Sequence, residues 1–305
     1  MTTSTALRAS ARAAFAALID YAGLFPPAKL PAPQACIEYE TARGGPQAWM
    51  LGRFILPAPL LFESPDWHEA PLSVIADGDT NVLERLSALR RTGSHIEALE
   101  IPIAKSISPL REVLSADEIL DVTGELEAGI TTFGLRDLPV YVEIPRAAPW
   151  WPMLSSVMDA LARMQLRAKL RCGGESAEAF PSVDDVTDFI AAAAHAGVAF
   201  KATAGLHHPV RHVDGATGFS MHGFLNILAA AALAPRVDRE TLARVVAEED
   251  PAAFSFEDAS FAWRDLRVEL ADLQRARREA FVAYGSCSFD EPVADLMALG
   301  ILPPR

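Results

Sequence analysis

Residues 167–203 read RAKLRCGGESAEAFPSVDDVTDFIAAAAHAGVAFKAT and contain two short β-rich runs on either side of one helical segment. The runs are Arg167–Cys172 and Val198–Thr203, and a helix is predicted between them over Val183–Ala196. The helix follows Ser182, a residue type that caps helix amino termini well. Two strands joined through a helix pair in parallel, because the connection returns the chain to the edge where the first strand began. The stretch therefore predicts a β–α–β unit.

The same alternation of strands and helices recurs along the whole chain. About eight β-rich runs follow an N-terminal helix, and most of them precede a helical segment. Eight parallel units close most economically into a barrel. We therefore predict an α/β fold, a single (β/α)8 TIM barrel over residues 1–305, in which residues 1–50 form the N-terminal helix and a covering segment. An open, doubly wound sheet is the alternative if the second or the seventh strand fails.

The pattern assigns each of these elements to a range of residues. The predicted strands are Arg53–Pro57, Leu72–Asp77, Ile96–Pro102, Val140–Ile144, Arg167–Cys172, Val198–Thr203, Ala253–Phe256 and Phe281–Ser286. The predicted helical segments are Asn81–Thr92, Trp151–Met164, Val183–Ala196, Gly223–Ala234, Phe261–Arg278 and Glu291–Leu299, with a further helix start at Ser106–Pro109.

Composition narrows the class of function. Half of the residues are hydrophobic, which allows a large core, and the net charge is -13. An acidic chain disfavours nucleic acid and anionic membranes as partners, but it allows a small-molecule substrate, including an anionic one bound by a few local cations. No apolar run reaches the length of a membrane-spanning helix, which is about 18 residues. Three cysteines without CxxC spacing indicate reduced thiols and a cytoplasmic protein, and a homo-oligomer is compatible with all of this.

Charged residues fall on the inward face of several predicted strands. In Val140–Ile144 the β-branched residues face the helices, so that Tyr141 and Glu143 point into the barrel. A purely structural interior would contain mainly Val, Ile and Leu, and a buried charge is costly unless it is paired. Most of these charges lie late in their strands, where barrel active sites are found; the alternative is that they pair with one another and only set the register. The predicted inward charges are Arg53, Asp77, Glu100, Glu143, Lys169, Arg171 and Lys201. Of these, the residues predicted to bind the substrate, together with Thr203, are Arg53, Asp77, Glu100 and Arg171.

Two of the four lysines of the chain lie in the middle of predicted strands. A lysine in a partly dry pocket near another cation has a lowered pKa, so that more of it is the neutral amine that attacks carbonyl groups. Lys201 is flanked by small residues that leave room for a substrate, and Lys169 on the preceding strand supplies the neighbouring positive charge. Lys201 is therefore the predicted nucleophile, and Glu143, which points inward, is the predicted proton shuttle.

The sequence around Lys201 resembles a known family. Residues 200–205, Phe-Lys-Ala-Thr-Ala-Gly, resemble the Lys-Thr-Ser-Thr-Gly strand of the deoxyribose-phosphate aldolases, and residues 214–217, Asp-Gly-Ala-Thr, resemble their Gly-Gly-Ala-Thr segment. The match covers under a tenth of the chain. The resemblance implies a class I, cofactor-independent barrel aldolase whose Schiff-base lysine, on the sixth strand, would be Lys201. The predicted seventh strand, Ala253–Phe256, departs from the family because it has neither a second lysine nor a glycine pair for a phosphate, so a lyase acting on a small oxo compound is predicted without a sugar phosphate.

Clustered histidines predict a competing chemistry. Four of the seven histidines, including His207, His208 and His222, lie within sixteen residues. Imidazoles close in sequence, together with Glu100 and Glu143, are ligands that suit a divalent metal. The alternative function is therefore a metal-dependent hydrolase, isomerase or lyase with His207, His208 and His222 as ligands. His207 or His208 could instead act as a general acid or base beside an imine.

The two ends of the chain carry further candidates. After the last strand, Ser286, Ser288 and the following helix start could bind an anion, or Ser288 could simply cap that helix. Near the N-terminus, Ile19–Ala28 is apolar and proline-rich, which suggests a segment that covers one end of the barrel. It could also bring Asp20 or Tyr21 to the substrate. A barrel that binds a small molecule without turnover remains the third functional alternative.

Overall fold

The computed structural model describes residues 6–63, 67, 69–103, 114–147 and 149–304, and the helix start predicted at Ser106–Pro109 lies outside them. The strands are β1 Ile19–Tyr21, β2 Leu51–Pro57, β3 Leu72–Ile75, β4 Ile96–Pro102, β5 Val140–Glu143, β6 Arg167–Arg171, β7 Phe200–Thr203, β8 His212–Val213, β9 Ser220–Met221, β10 Phe254–Phe256, β11 Ser260–Trp263, β12 Leu266–Glu269 and β13 Phe281–Ser286. The α-helices are α1 Ala9–Phe15, α2 Ala32–Gly44, α3 Ala58–Glu63, α4 Thr80–Arg91, α5 Ala116–Thr132, α6 Leu154–Arg163, α7 Val183–Ala196, α8 Phe224–Leu233, α9 Arg239–Val246, α10 Leu270–Glu279 and α11 Asp290–Ala298.

Eight parallel strands close into a barrel, which confirms the predicted (β/α)8 fold. Their order around the barrel is β1-β13-β7-β6-β5-β4-β3-β2. The β–α–β unit at residues 167–203 forms as predicted, with β6 paired in parallel to β7. Its helix, α7, begins in a capping box between Ser182 and Asp185 and ends at Gly197, whose φ of 67° is readily adopted by glycine. The capping box and Gly197 thus set the two ends of α7, and β7 begins three residues after Gly197.

One of the eight predicted barrel strands was wrong. Ala253–Phe256 does not enter the barrel; β10 pairs with β11 and β11 with β12 in a separate antiparallel sheet. The predicted helix Phe261–Arg278 is correspondingly wrong over its first half, which forms β11 and β12 before α10 begins. Short turns join the three strands, and this connection favours antiparallel pairing.

The remaining barrel strand is β1, within the segment that was predicted to cover one end. Its residues Ile19–Tyr21 are all buried and pair with β13 on one side and β2 on the other. Residues 1–50 are thus more than a helix and a cover, since they close the barrel. The correction moves the next six strands up by one and leaves the last strand eighth, so that Lys169 lies on the sixth barrel strand and Lys201 on the seventh.

The antiparallel sheet and α1 lie together at the amino ends of the barrel strands. The backbone N–H of Ala9 donates to Asp258 Oδ1 at 3.1 Å, and the rings of Phe15 and Phe256 lie 5.3 Å apart. The buried guanidinium of Arg277 bonds the carbonyls of Ala16, just after α1, and Phe281, the first residue of β13. This end is therefore occupied by packed structure, and the carboxyl ends of the strands form the other end, where barrel enzymes bind substrates.

Candidate active site

Five ionisable side chains form a continuous row of ion pairs inside the barrel. Lys201 Nζ lies 2.6 Å from Asp20 Oδ2 and 2.6 Å from Glu100 Oε1. Lys169 Nζ lies 2.8 Å from the other oxygen of Glu100 and 2.7 Å from Glu143 Oε2. Negative and positive groups alternate along this row, from Asp20 on β1 to Glu143 on β5. The predicted inward orientation of Glu100, Glu143, Lys169 and Lys201 is confirmed.

Solvent exposure increases along the row toward the carboxyl ends of the strands. The Lys201 side chain is 0% exposed and that of Lys169 is 4% exposed. Glu143 is 20% exposed and Arg171 is 54% exposed, with 3.6 Å between Arg171 Nη1 and Glu143 Oε1. The row therefore leads from an enclosed end to the barrel mouth. Both lysines are buried; Lys169 contacts the partly exposed Glu143, and Lys201 lies deeper in the row.

Neutral groups hold the enclosed end in place. Ser73 Oγ donates to Glu100 Oε1 at 2.5 Å, and Asp20 Oδ1 accepts the backbone N–H of Arg53 at 2.7 Å. A Cβ at position 52 would lie 2.3 Å from Asp20 Oδ1, so the carboxylate fits there because the residue is Gly52. The Tyr141 ring lies 5.4 Å from Lys201 Nζ, within the range of a cation–π contact. Both carboxylates are thus oriented before any ligand binds.

The lowered lysine pKa that was predicted for Lys201 is wrong. Burial alone lowers the pKa of Lys201, but the charges of Asp20 and Glu100 and their hydrogen bonds outweigh burial, and the net pKa is raised. The same balance, with Glu100 and Glu143 as partners, raises the pKa of Lys169. Sequence reasoning counted the neighbouring cation and missed the second carboxylate on each lysine. Both lysines are therefore ammonium ions in the resting site.

Glu100 is the carboxylate that the two lysines share. Burial alone raises the pKa of Glu100, whereas the charges of Lys169 and Lys201 and their hydrogen bonds hold it well below the usual range for a glutamate. The five groups of the row carry three negative and two positive charges, and Arg171 at the mouth brings the sum to zero. The fully buried Glu100 carboxylate is stable as an anion because an ammonium group contacts each of its two oxygens.

The corrected strand order changes how the aldolase resemblance applies. The Lys-Ala-Thr-Ala-Gly motif containing Lys201 lies on the seventh strand, and the lysine on the sixth strand is Lys169. The predicted departure from the family at the seventh strand is wrong as far as the lysine is concerned, since that strand does contain one. By strand position the family's Schiff-base lysine corresponds to Lys169, whereas by motif it corresponds to Lys201. The two lysines differ in side-chain exposure, which is 4% for Lys169 and 0% for Lys201.

Two predicted substrate-binding residues lie away from the row. Arg53 is near the start of β2 and pairs with Glu97 at 3.2 Å, on the side of the amino ends. Asp77 is exposed, two residues beyond the end of β3. Thr203, by contrast, ends β7 at the mouth, half-buried and next to Gly285. Alternation along a strand predicts which face a side chain lies on. It does not predict the position of Arg53 or Asp77 along the barrel axis.

The predicted anion cradle after β13 is occupied by its own hydrogen bonds. Ser286 Oγ donates to the Ser288 carbonyl at 2.7 Å, and Ser288 Oγ accepts the backbone N–H of Glu291 at 3.2 Å. These contacts form the turn that begins α11. The N-cap position of this helix is Phe289, and Ser288, just before it, bonds the first turn from outside the helix.

The three histidines predicted as metal ligands each have a partner of their own. His207 Nδ1 lies 2.9 Å from Glu291 Oε2, and His208 Nδ1 lies 2.6 Å from Asp295 Oδ2. His222 is buried, its Nε2 donates to the Pro181 carbonyl at 2.8 Å, and burial lowers its pKa to about 4. The proposed ligand set of His207, His208 and His222 is therefore not assembled. Within the described ranges, no three His, Cys, Asp or Glu side chains are arranged to hold a metal ion.

The site depends on two residues that sequence analysis placed incompletely. Asp20 was considered as part of a covering segment that could bring it to the substrate, and Ser73 was not considered at all. The available signal was the same in both cases, a polar residue between apolar ones in the runs Ile19–Tyr21 and Leu72–Ile75. Three or four residues are too few for alternation to predict a strand by itself.

Comparisons with known proteins were made for the whole chain. No protein-family model matches it, and no curated protein matches it. Among solved structures it is similar to a chain from Coccidioides immitis described as a candidate fructose-1,6-biphosphate aldolase, with 12% identity, a TM-score of 0.38, and coverage of 90% of this chain and 92% of that chain. In the part of the chain that is described, no helix is both long enough and apolar enough to span a membrane.

Proposed function

We propose that the protein is a carbon–carbon lyase of the class I aldolase type, in which Lys169 forms a Schiff base with a small oxo compound. The observation that carries the proposal is the position of Lys169 Nζ, which lies 2.7 Å from Glu143 at the barrel mouth, while Lys201 is fully enclosed. A nucleophile must reach the substrate, and a proton acceptor must lie within hydrogen-bonding distance of it. Lys169 has the proton acceptor and is the less enclosed of the two lysines, with 4% of its side chain exposed against 0% for Lys201, so it replaces Lys201 as the proposed nucleophile.

Glu143 moves the protons in this proposal. It accepts a proton from the Lys169 ammonium group, and the neutral amine then attacks the carbonyl carbon to give a carbinolamine. Glu143 returns the proton to the carbinolamine hydroxyl, which leaves as water and yields the iminium ion. The bond between the α and β carbons of the iminium then breaks, and its electron pair forms an enamine, while the hydroxyl on the β carbon gives its proton to the ionised Glu143 and becomes the carbonyl of the first product. Glu143 returns this proton to the α carbon of the enamine, and water hydrolyses the resulting iminium to release the second product and the Lys169 amine. No cofactor is needed for these steps.

Lys201 acts as a positioning residue in the same proposal. Its Nζ binds Glu100 Oε1, and Lys169 binds Oε2, so the two cations share one carboxylate. The positive charge of Lys201 beside Glu100 reduces the attraction between Glu100 and the Lys169 ammonium group. The Lys169 proton is then transferred to Glu143 more easily. It also keeps Glu100 ionised and directed toward Lys169.

Reductive trapping tests the proposal directly. Cyanoborohydride reduces an iminium ion to a stable secondary amine, so wild-type protein incubated with acetaldehyde or pyruvate is expected to gain the corresponding mass at Lys169, located by peptide mapping. Glu143→Gln should slow trapping by about 10²–10⁴-fold, the usual range for loss of a general acid–base group. Chelator in the buffer should have no effect. An adduct at Lys201 would assign the chemistry to that residue instead, and no adduct at either lysine would refute the proposal.

The pH dependence of trapping follows from the raised pKa of Lys169. A raised lysine pKa leaves little neutral amine at neutral pH, and more appears as the pH increases. The initial trapping rate should therefore rise continuously from about pH 6 to about pH 9, by up to about tenfold per pH unit. A lysine whose pKa had been lowered would instead give a plateau above about pH 8. The measurement is the initial rate across this range, and a plateau would contradict the contact of Lys169 with two carboxylates.

A further inference from the structure

A guanidinium group stands free at the mouth beside Lys169. Arg171 lies two residues further along β6, and residues two apart on a strand point to the same face. Its Nε donates to the Gly173 carbonyl at 3.1 Å, and its Nη1 lies 3.6 Å from Glu143 Oε1. Among the described residues these are its acceptors, and the 3.6 Å contact is too long for a direct hydrogen bond. Most of the donors of this exposed side chain are therefore open to an anion.

Lys169 and Arg171 are linked through the two oxygens of one carboxylate. Lys169 Nζ contacts Glu143 Oε2, and Arg171 Nη1 approaches Oε1. Glu143 thus bridges the two cations, which lie beside different oxygens of the same carboxylate. A ligand whose carbonyl carbon reacts at Lys169 would therefore have its neighbouring substituent near the guanidinium of Arg171. A planar guanidinium group such as that of Arg171 binds a carboxylate especially well, because it can donate two parallel hydrogen bonds to the two oxygens.

Proton transfer within the row would also make Arg171 available to an anion. The buried row from Asp20 to Glu143 carries one excess negative charge, which the distant, solvated contact with Arg171 balances only loosely. When Glu143 takes the Lys169 proton, it becomes neutral and no longer attracts Arg171. The guanidinium is then the cation available to a substrate carboxylate at the step in which the amine attacks.

We infer that the substrates are 2-oxo acids, or aldol adducts that release them, and that Arg171 selects them by binding the carboxylate next to the reacting carbonyl. This inference rests on the proposed Schiff-base function and narrows its substrate class. It predicts that a neutral compound of the same size reacts at Lys169 but binds more weakly.

The test compares pyruvate with pyruvamide, which has nearly the same shape and no charge. In wild-type protein, the concentration for half-maximal trapping at Lys169 is expected to be at least about tenfold lower for pyruvate, as loss of one charge-assisted contact predicts. Arg171→Gln should raise that concentration for pyruvate by about 10–100-fold and leave pyruvamide unchanged. For pyruvate, Arg171→Lys should give a half-maximal concentration between those of the wild type and Arg171→Gln, because lysine keeps the charge but lacks the planar guanidinium that binds a carboxylate through two hydrogen bonds.

Arg146→Gln is the matched control. It makes the same change in net charge, and the guanidinium of Arg146 already pairs with Asp185 at 3.2 Å. It should leave both compounds unaffected, and thermal unfolding should show that all variants are folded. Equal trapping of pyruvate and pyruvamide by the wild type, or equal losses in Arg171→Gln and Arg146→Gln, would overturn the inference and leave the Schiff-base function standing. Absence of any adduct with either compound would remove both.

Discussion

Lys169→Met is expected to be folded and to lose at least about 10⁴-fold in the rate of carbonyl turnover, as removal of a covalent nucleophile does. Methionine is close in length to lysine and cannot form an imine. Glu100 keeps Lys201 and Ser73 at Oε1 but loses the cation at Oε2, whereas Glu143, which is 20% exposed, can turn to solvent, so the variant should be less stable than the wild type but lose less stability than Lys201→Met. Turnover of oxo compounds, adduct formation and the unfolding midpoint would be measured on the same preparation.

Lys201→Met is the matched comparison, and its effect should be of a different kind. It leaves the carboxylate of Asp20 buried with the backbone N–H of Arg53 as its hydrogen-bond donor and deprives Glu100 of one of its two cations. Breaking a buried pair in this way costs about 3–5 kcal/mol of stability. We therefore expect an unstable protein that still forms an adduct at Lys169 below its unfolding temperature. A stable Lys201→Met variant that forms no adduct, together with a Lys169→Met variant that does, would reverse the roles of the two lysines.

Glu100→Gln should be the most destabilising single change in the barrel interior. Glutamine keeps the shape of the side chain but removes the negative charge that both lysines contact at 2.6–2.8 Å. Two buried ammonium ions would then depend on Asp20 and Glu143 alone, and the cost is about 3–5 kcal/mol in the free energy of unfolding. Urea unfolding at neutral pH measures it. The destabilisation should shrink in acid, because the pKa of Glu100 is lowered by folding, so its stabilisation is present above the ordinary glutamate pKa and is lost as the pH falls through the lowered value.

Glu97→Gln provides the control on the same strand. Its carboxylate pairs with Arg53 at 3.2 Å but is 51% exposed, and an exposed pair contributes about 0–1 kcal/mol. Equal losses in the free energy of unfolding for Glu97→Gln and Glu100→Gln would show that burial of the ion pairs does not determine their contribution to stability. If Glu100→Gln folds at low temperature, its trapping rate should reach a given value at lower pH than the wild type, because Lys169 has lost one of the two carboxylates that raise its pKa.

Much of the barrel was predictable because its signals are local. The run from Arg167 to Thr203 contains a strand, a capped helix and a second strand in consecutive residues, and each is specified by neighbours in sequence. The inward direction of Glu100, Glu143, Lys169 and Lys201 was predictable for the same reason. Side chains alternate along a strand with a period of two, so apolar neighbours that face the helices force the charged residues inward.

Closure of the barrel was not predictable in this way. Ile19–Tyr21 is too short to show a pattern, and it becomes a strand because β13 and β2 pair with it on both sides. Ala253–Phe256 has a stronger β pattern but pairs with the strands that follow it directly. Strand pairing depends on which edges meet in three dimensions, so the sequence alone counted eight strands and assigned one of them to the wrong segment.

The sequence by itself thus determined the class of fold, the inward charges and the neighbourhood of Lys201. The tertiary structure alone brought Asp20 to Lys201, across 181 residues of chain, and placed Glu100 between the two lysines. It thereby reversed the expected direction of the lysine pKa shifts and left Lys169 as the amine beside the partly exposed Glu143. The physical reason is that ionisation and access depend on distances through space and on burial, which alternation along a single strand does not encode.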